Sequence, residues 1–306
     1  RFYQRNWGLI KADIVHAVIK FFQTGHMLEG INETSIVLIP KVDNPTELKD
    51  FRPISLCNVL YKVVSKCLVN RLRPLLGEMI SENQSAFIPG RLITDNALLA
   101  FECLHFLEHG ATPQNQYCAY KVDLSKAYDR VDWRFLEEAM QKMGFAHRWV
   151  QWIMVCVTMV RYSVKFNGAP LEAFSPSRGL RQGDPLSPFL FLFVADALSA
   201  LLQSEVIAGG ITPVKVCRRA PGVSHLLFAD DTLLFFKATE EQATRVKHVI
   251  ETYATCTGQL INPTNAQLNS VSFVHQRTNK QYAKHFRWKS RFLSPNIWGS
   301  QLQKVA

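Results

Sequence analysis

Two aspartates, Asp230 and Asp231, stand side by side between residues 225–228 and 232–236, two runs that are otherwise almost wholly apolar. A hairpin built from these runs forces both carboxylates together at its tip. Adjacent acids in apolar surroundings repel and lose hydration, which shifts their protonation or demands a cation, and oxygen ligands of this type suit Mg²⁺. The plain alternative is an exposed Asp-Asp turn, because aspartate is an ordinary turn residue. Asp123 adds weight to the metal reading. It too ends an apolar strand, 117–122, and in a split βαβ sheet that strand lies beside the hairpin, so that three acids converge on two metals. In such a site, with ions about 4 Å apart, one lowers the pKa of an attacking hydroxyl and the other neutralises the phosphates and the leaving group. Little else is needed beyond positioning and a few cations near the phosphates.

The rest of the sequence must build elements that carry these acids. Of 306 residues, 47% are hydrophobic and 20% charged, enough to bury a sizeable core in one large domain or two subdomains, so disorder is not the default reading. A formal charge of +10 favours a polyanionic partner such as nucleic acid, although phosphate binding needs a clustered positive face rather than a positive total. The seven cysteines are widely spaced without a Cys-x-x-Cys pair, so they read as buried thiols of a reducing, intracellular compartment and not as a disulfide frame or zinc knuckle. No basic run decides between nucleus and cytoplasm. His105 and His109, four apart, read as ordinary packing because no third ligand lies near. The longest apolar run, 189–202, contains Asp196 and is too short for a bilayer crossing, so no membrane partner is expected. The sequence opens at Arg1 in a stretch that already looks internal, which reads as a piece of a longer chain.

Residues 35–40 read as a β-branched strand and 41–53 as a polar loop punctuated by Pro45 and Pro53. From 58 to 72 the apolar residues form one helical stripe, with Lys62, Lys66 and Arg73 on the opposite face, either solvated or touching phosphate. A strand over 117–122 runs into Asp123. Helices follow over 133–143, capped by Asp132 and stopped by Gly144, and around 149–160; then come a strand over 162–166 and a turn at Asn167 and Gly168. Ser187 and Pro188 open a long buried helix. Apolar strands over 223–228 and 232–236 precede a helix from Thr239, with Gln242 completing a capping box, to Gly258. This order implies an α+β fold whose split βαβ antiparallel sheet has helices on one face.

Three blocks now carry a resemblance: Val122-Asp123-Leu124-Ser125-Lys126-Ala127-Tyr128-Asp129, Arg181-Gln182-Gly183-Asp184-Pro185-Leu186-Ser187-Pro188, and Phe228-Ala229-Asp230-Asp231. They resemble motifs A, B and C of reverse transcriptases, in order. Upstream, Ile39-Pro40-Lys41, Phe51-Arg52-Pro53-Ile54-Ser55-Leu56 and Asn83-Gln84-Ser85-Ala86-Phe87-Ile88-Pro89-Gly90-Arg91 resemble the fingers signatures of non-LTR, LINE-type elements, particularly those of plants. The likeness covers roughly residues 30–265.

The resemblance implies a right-hand polymerase with fingers over 1–115, including an N-terminal helical lead-in, a palm over 116–265 and a degenerate thumb region over 266–306. It implies an RNA-directed DNA polymerase that adds dNTPs to a DNA 3′ end on an RNA template with two Mg²⁺ ions, Mn²⁺ being a substitute. Asp123, Asp230 and Asp231 would be the catalytic metal ligands. Tyr128 would be the steric gate that refuses a 2′-hydroxyl. Gln182 would touch the incoming nucleotide, Gly183 would allow close backbone approach, and Lys41 and Arg52 would hold the triphosphate. Arg91 and Asp95 read equally well as a structural ion pair. The family's lysine after motif C, in Ile-Asn-x-x-Lys-Ser, has no counterpart in Ile261-Asn262-Pro263-Thr264-Asn265-Ala266, so the general acid is unassigned. Residues 270–306 read as a polar, basic tail, and the expectation is a chain without the endonuclease and thumb segments of a longer element protein. The competing readings are an inactive remnant that only binds nucleic acid, and an RNA-dependent RNA polymerase, against which an aromatic at 128 argues.

Overall fold

In the computed structural model, residues 2–110 and 116–262 are described in full and 267–270 by their backbone. Asn265, Ala266 and the expected tail over 271–306 lie outside the described residues. The chain begins with α1 (Phe2–Arg5), α2 (Trp7–Thr24), β1 (Glu33–Pro40), β2 (Phe51–Cys57) and α3 (Val59–Leu72). It continues through α4 (Leu76–Met79), α5 (Ile93–His109), β3 (Tyr117–Val122), α6 (Ala127–Arg130), α7 (Trp133–Lys142) and α8 (His147–Thr158). Last come β4 (Arg161–Phe166), β5 (Ala169–Pro170), α9 (Ser187–Ile207), β6 (His225–Phe228), β7 (Asp231–Lys237), α10 (Glu240–Thr257) and β8 (Gln267–Ser270).

Helix starts follow local chemistry. Asn58 accepts from the Leu60 amide ahead of α3 (2.9 Å), and Asp132 accepts from the Phe135 amide ahead of α7 (2.9 Å). Thr239 accepts from the Gln242 amide, and α10 ends on Gly258 at φ +76°. The expected capping box is only half made. The Gln242 side chain turns away to accept from the Lys237 and Thr212 amides, each at 3.0 Å, and so ties α10 to the end of β7.

Two compact units share the chain, one made of Arg1–Leu76 with Tyr128–Phe193 and the other of Gly77–Ala127 with Val194–Ala306. The division into fingers, palm and tail is one of role, and these discontinuous units do not decide it. In the first unit a sheet of order β2-β1-β4-β5 pairs β1 antiparallel with β2 and parallel with β4. Residues 41–53 are therefore not all loop, since β2 begins at Phe51. Pro53 hides a strand that survives because β2 is an edge, where a missing N–H leaves no ladder partner unmet.

In the second unit the sheet has order β6-β7-β3-β8 with every pair antiparallel. Numbered by chain order these strands lie 2-3-1-4, the arrangement of a split βαβ fold. β8 is unanticipated, because Gln-Leu-Asn-Ser has little strand propensity of its own; pairing with β3 decides it. Ala100, Cys103 and Leu107 of α5 pack on Tyr117, Ala119, Leu233 and Phe235. Consecutive residues of β3 and β7 are buried, so both faces of the central strands are covered.

Among the described residues, α9 alone is long and apolar enough to cross a membrane by length and composition. It is a core helix: Leu190–Ala195, Leu198 and Leu202 are buried, and Asp196 accepts from the Ser81 amide at 2.9 Å.

His225 at the start of β6 is fully buried, with Nε2 2.9 Å from Ser199 Oγ and Nδ1 2.9 Å from Ser224 Oγ. Burial pulls its pKa down to about 4, so the folded ring stays neutral while an unfolded histidine charges near 6.5. Stability conferred by the neutral ring is present above pH 6.5 and is lost as pH falls toward 4, by about 3 kcal/mol in all. Chemical denaturation at pH 7 and pH 4.5 should show this loss, and His225→Gln should flatten the difference; an unaltered pH slope in the variant would refute the assignment.

Candidate active site

In the second unit, Phe228 pairs with Asp231, leaving Ala229 and Asp230 as a two-residue turn. Ala229 takes φ +55°, the positive value such turns require. β3 pairs with β7 out to Val122 and Thr232, so Asp123, one residue on, falls beside Asp231. The three acids are thus brought to neighbouring strand ends, as expected.

Their side chains are not gathered into a metal cage. Among the described residues no group of three or more His, Cys, Asp or Glu is arranged to hold a metal ion. Asp123 Oδ2 accepts from Asn262 Nδ2 (2.9 Å), and Asp231 Oδ1 lies 3.4 Å from Lys121 Nζ. The Asn262 amide also donates to the Asp123 carbonyl (2.8 Å), and the Ser125 amide to the Leu260 carbonyl (2.7 Å). Residues 260–262 therefore brace the segment that follows β3. Asp230 is the acid under strain: desolvation first, then the charges of Asp231 and Asp123, raise its pKa above the usual carboxylate range, against a lowering from its own backbone and Lys121. Partly buried, like-charged oxygen donors of this kind fit a hard divalent cation. No local pattern marks Lys121 or Asn262 as partners of these acids, and in residues 261–266 the sequence of Asn262's neighbours signals only the absent lysine.

The first unit holds the other expected residues. Lys41 and Arg52 sit at the same end of the β1–β2 pair, both exposed, and Lys41 Nζ donates to the Lys49 carbonyl (2.8 Å). Tyr128 stacks on Phe191 with ring centroids 4.9 Å apart. Gln182 Nε2 donates to Asp129 Oδ1 (3.3 Å), and its carbonyl accepts from the Ser55 amide (2.8 Å). Gly183 is needed for close approach, but to protein: at φ +107° an added Cβ would lie 3.0 Å from the Ser55 carbonyl oxygen. Arg91, in the second unit, does not pair with Asp95. Its guanidinium donates to the carbonyls of Gly77, Ile80, Ser81 and Gln84.

Beneath the Gln182–Gly183 loop lies a buried charge network. The Arg181 guanidinium, 4% exposed, donates to Asn32 Oδ1 (2.6 Å), Thr34 Oγ1 (3.2 Å) and the Cys156 carbonyl (2.8 Å), and pairs with Asp184 at 3.2 Å. It lies 3.8 Å over the Tyr61 ring, whose hydroxyl donates to Asp184 Oδ2 at 2.5 Å. The opposite charges three apart in sequence were the available signal.

Strand ends bearing acids on a split βαβ sheet define a palm of the template-directed polymerase class. The reverse transcriptase (RNA-dependent DNA polymerase) family model matches residues 39–282, and the chain belongs to that family, in its non-LTR retrotransposon branch. It is 27% identical over 263 residues, 85% of its length, to the transposon TX1 uncharacterized 149 kDa protein of Xenopus laevis. It is 30% identical over 215 residues, 69% of its length, to the Pol polyprotein of the Drosophila melanogaster element R2DM. The chain spans 19% of each of these relatives. An uncharacterized mitochondrial protein of Arabidopsis thaliana is 50% identical over 66 residues, which is 22% of this chain and 54% of that protein. The fold is shared with telomerase from Candida tropicalis, at a TM-score of 0.56 and 14% identity over 85% of this chain and 55% of that one.

Removing one partner from a buried ion pair leaves the other uncompensated, so Arg181→Met should cost about 3–5 kcal/mol. Tyr61→Phe, which deletes one hydrogen bond to a buried carboxylate, should cost about 1–3 kcal/mol. Urea titrations check both, and equal losses would show that the guanidinium is not the centre of the network.

Proposed function

We propose that this chain is the fingers and palm of an enzyme that extends a DNA 3′ end with dNTPs on an RNA template. The carrying observation is the register that sets Asp123 beside the Asp230–Asp231 turn. Asp123, Asp230 and Asp231 would hold Mg²⁺, or Mn²⁺ in its place, and the metal when bound supplies charge neutralisation for the attacking hydroxyl and the pyrophosphate. Asn262 and Lys121 orient Asp123 and Asp231. The Tyr128 ring, fixed by its stack on Phe191, excludes the ribose 2′-hydroxyl. Gln182 touches the nucleotide, Gly183 lets its loop seat on Ser55, and Lys41 and Arg52 hold the triphosphate. DNA primer or target and RNA template are the polyanions that suit a net charge of +10. A plant element is the source this reading favours, supported by the match to the Arabidopsis protein. The site of action is intracellular, in nucleus or cytoplasm. A remnant that only binds nucleic acid is not favoured, since the acids stand at properly paired strand ends.

Extension of a DNA primer on an RNA template with dNTPs and Mg²⁺ tests the proposal. Asp230→Asn should lower the rate at least about 10²–10³-fold, the scale on which one preorganised charge contributes. RNA binding by both proteins with extension by neither would overturn it. Tyr128→Ala should weaken discrimination against NTPs by roughly 10–200-fold, and an unchanged dNTP/NTP ratio would remove Tyr128 from the gate.

A further inference from the structure

Gln84 is fully buried, and both ends of its amide are engaged with one distant residue. Its Oε1 accepts from the Ala229 amide (2.9 Å) and the Ala86 amide (3.0 Å), while its Nε2 donates to the Ala229 carbonyl (3.3 Å). The side chain therefore grips the N–H and the C=O of a single residue 145 positions away. That residue immediately precedes Asp230 and holds φ +55°. A residue with a Cβ enters this region reluctantly, and glycine or asparagine is usual where a turn demands it. Here alanine occupies the position, next to two acids that repel each other. Such a turn stays formed only if its surroundings over-determine it.

The surroundings do so through Gln84's own segment. Residues 83–85 run along the outer edge of β6: the Leu227 amide donates to the Asn83 carbonyl (2.8 Å), and the Ser85 amide to the Leu227 carbonyl (3.1 Å). Asn83 Nδ2 donates to the His225 carbonyl and Asn96 Nδ2 to the Leu227 carbonyl, both at 2.8 Å. The Arg91 guanidinium in turn takes the carbonyl of Gln84 (2.7 Å) with three others, which fixes the segment from behind. Gln84 is therefore a rigid arm rather than a mobile side chain.

We propose that Gln84 is a positioning residue for the acid hairpin, holding Ala229 in its positive-φ turn so that Asp230 and Asp231 keep a fixed place. This deepens the polymerase reading and rests on it for its kinetic consequence. Asparagine is too short to reach both groups, and an ionised glutamate cannot donate to the Ala229 carbonyl.

Primer extension by wild type, Gln84→Met and Gln84→Met/Ala229→Gly separates positioning from plain stability. The first variant should lose about 10–100-fold in kcat, the scale of an ångström-level misplacement, with KM for dNTP within about threefold of wild type. Glycine at 229 should return at least about fivefold of the loss, because it adopts positive φ without a clamp. A loss that Ala229→Gly leaves untouched, or one carried by KM, would overturn the proposal. Amide exchange read by NMR decides the clamp without any activity. In Gln84→Met the Ala229 amide should exchange at least about tenfold faster while the β3–β7 amides hold; equal protection would sink the idea. Failure of wild type to extend would sink the polymerase reading and leave exchange to judge Gln84. If Gln84→Met does not fold, Gln84→Asn, polar but too short to reach both groups, should speed exchange of the Ala229 amide in the same way, and wild-type protection there would overturn the proposal.

Discussion

Like charge held against its own repulsion governs the second unit. Two like unit charges about 4 Å apart would repel by roughly 4 kcal/mol at an effective dielectric of 20, which sets the upper scale for neighbouring acids such as Asp230 and Asp231. Six buried side chains of the hairpin, Leu226, Leu227, Leu233, Leu234, Phe235 and Phe236, each contribute about 1.5–3 kcal/mol in the opposite sense. Burial wins, and the acids are carried to the strand ends whether or not they suit each other. What remains is managed locally, by Lys121 at Asp231, Asn262 at Asp123 and a raised proton affinity at Asp230. A hairpin that stores repulsion at its tip is one that a divalent cation relieves, which is why the arrangement points to chemistry rather than to a plain turn.

The first unit handles buried charge in the opposite way. Arg181 and Asp184 are nearly inaccessible, yet the guanidinium has an anion, two side-chain oxygens, a backbone carbonyl and an aromatic face about it. Nothing there calls for a ligand. The network is self-neutral and anchors a loop, and Gly183 completes the seat by meeting the Ser55 carbonyl where a side chain would collide. The contrast separates two kinds of polar cluster: one whose charges are answered in full within the protein and one, with three carboxylates to a single lysine, whose charges are answered only in part.

Legibility in the sequence tracked locality. Helix caps at Asp132 and Thr239 and the acid-tipped hairpin were readable because their determinants lie within a few residues. β2 was not, because Pro53 breaks the pattern on which strand reading depends, and only its edge position, set by β1 and β4, excuses it. β8 was invisible for the complementary reason, a polar tetrapeptide made into a strand by β3. The site divided in the same way: the acids announced themselves by breaking apolar runs, whereas Lys121, Asn262 and Gln84 act on residues that no local pattern connects to them.

Register is where these long-range polar residues matter most. Alternation of apolar and polar residues ordinarily fixes strand pairing, because a slip of one residue would expose the core face. β3 and β7 are buried on both faces, so alternation supplies no such penalty, and a slipped pairing would bury nearly as much. Polar groups must supply what the apolar ones cannot. His225 is held between Ser199 and Ser224, Asn83 and Asn96 fix the edge of β6, and the Phe235 amide donates to the Ser224 carbonyl. Displacing the hairpin by one residue would break these bonds together and would move Asp231 away from Lys121 and Asp123. The buried polar residues of this sheet therefore specify where the acids stand, while the apolar residues specify only that a sheet forms.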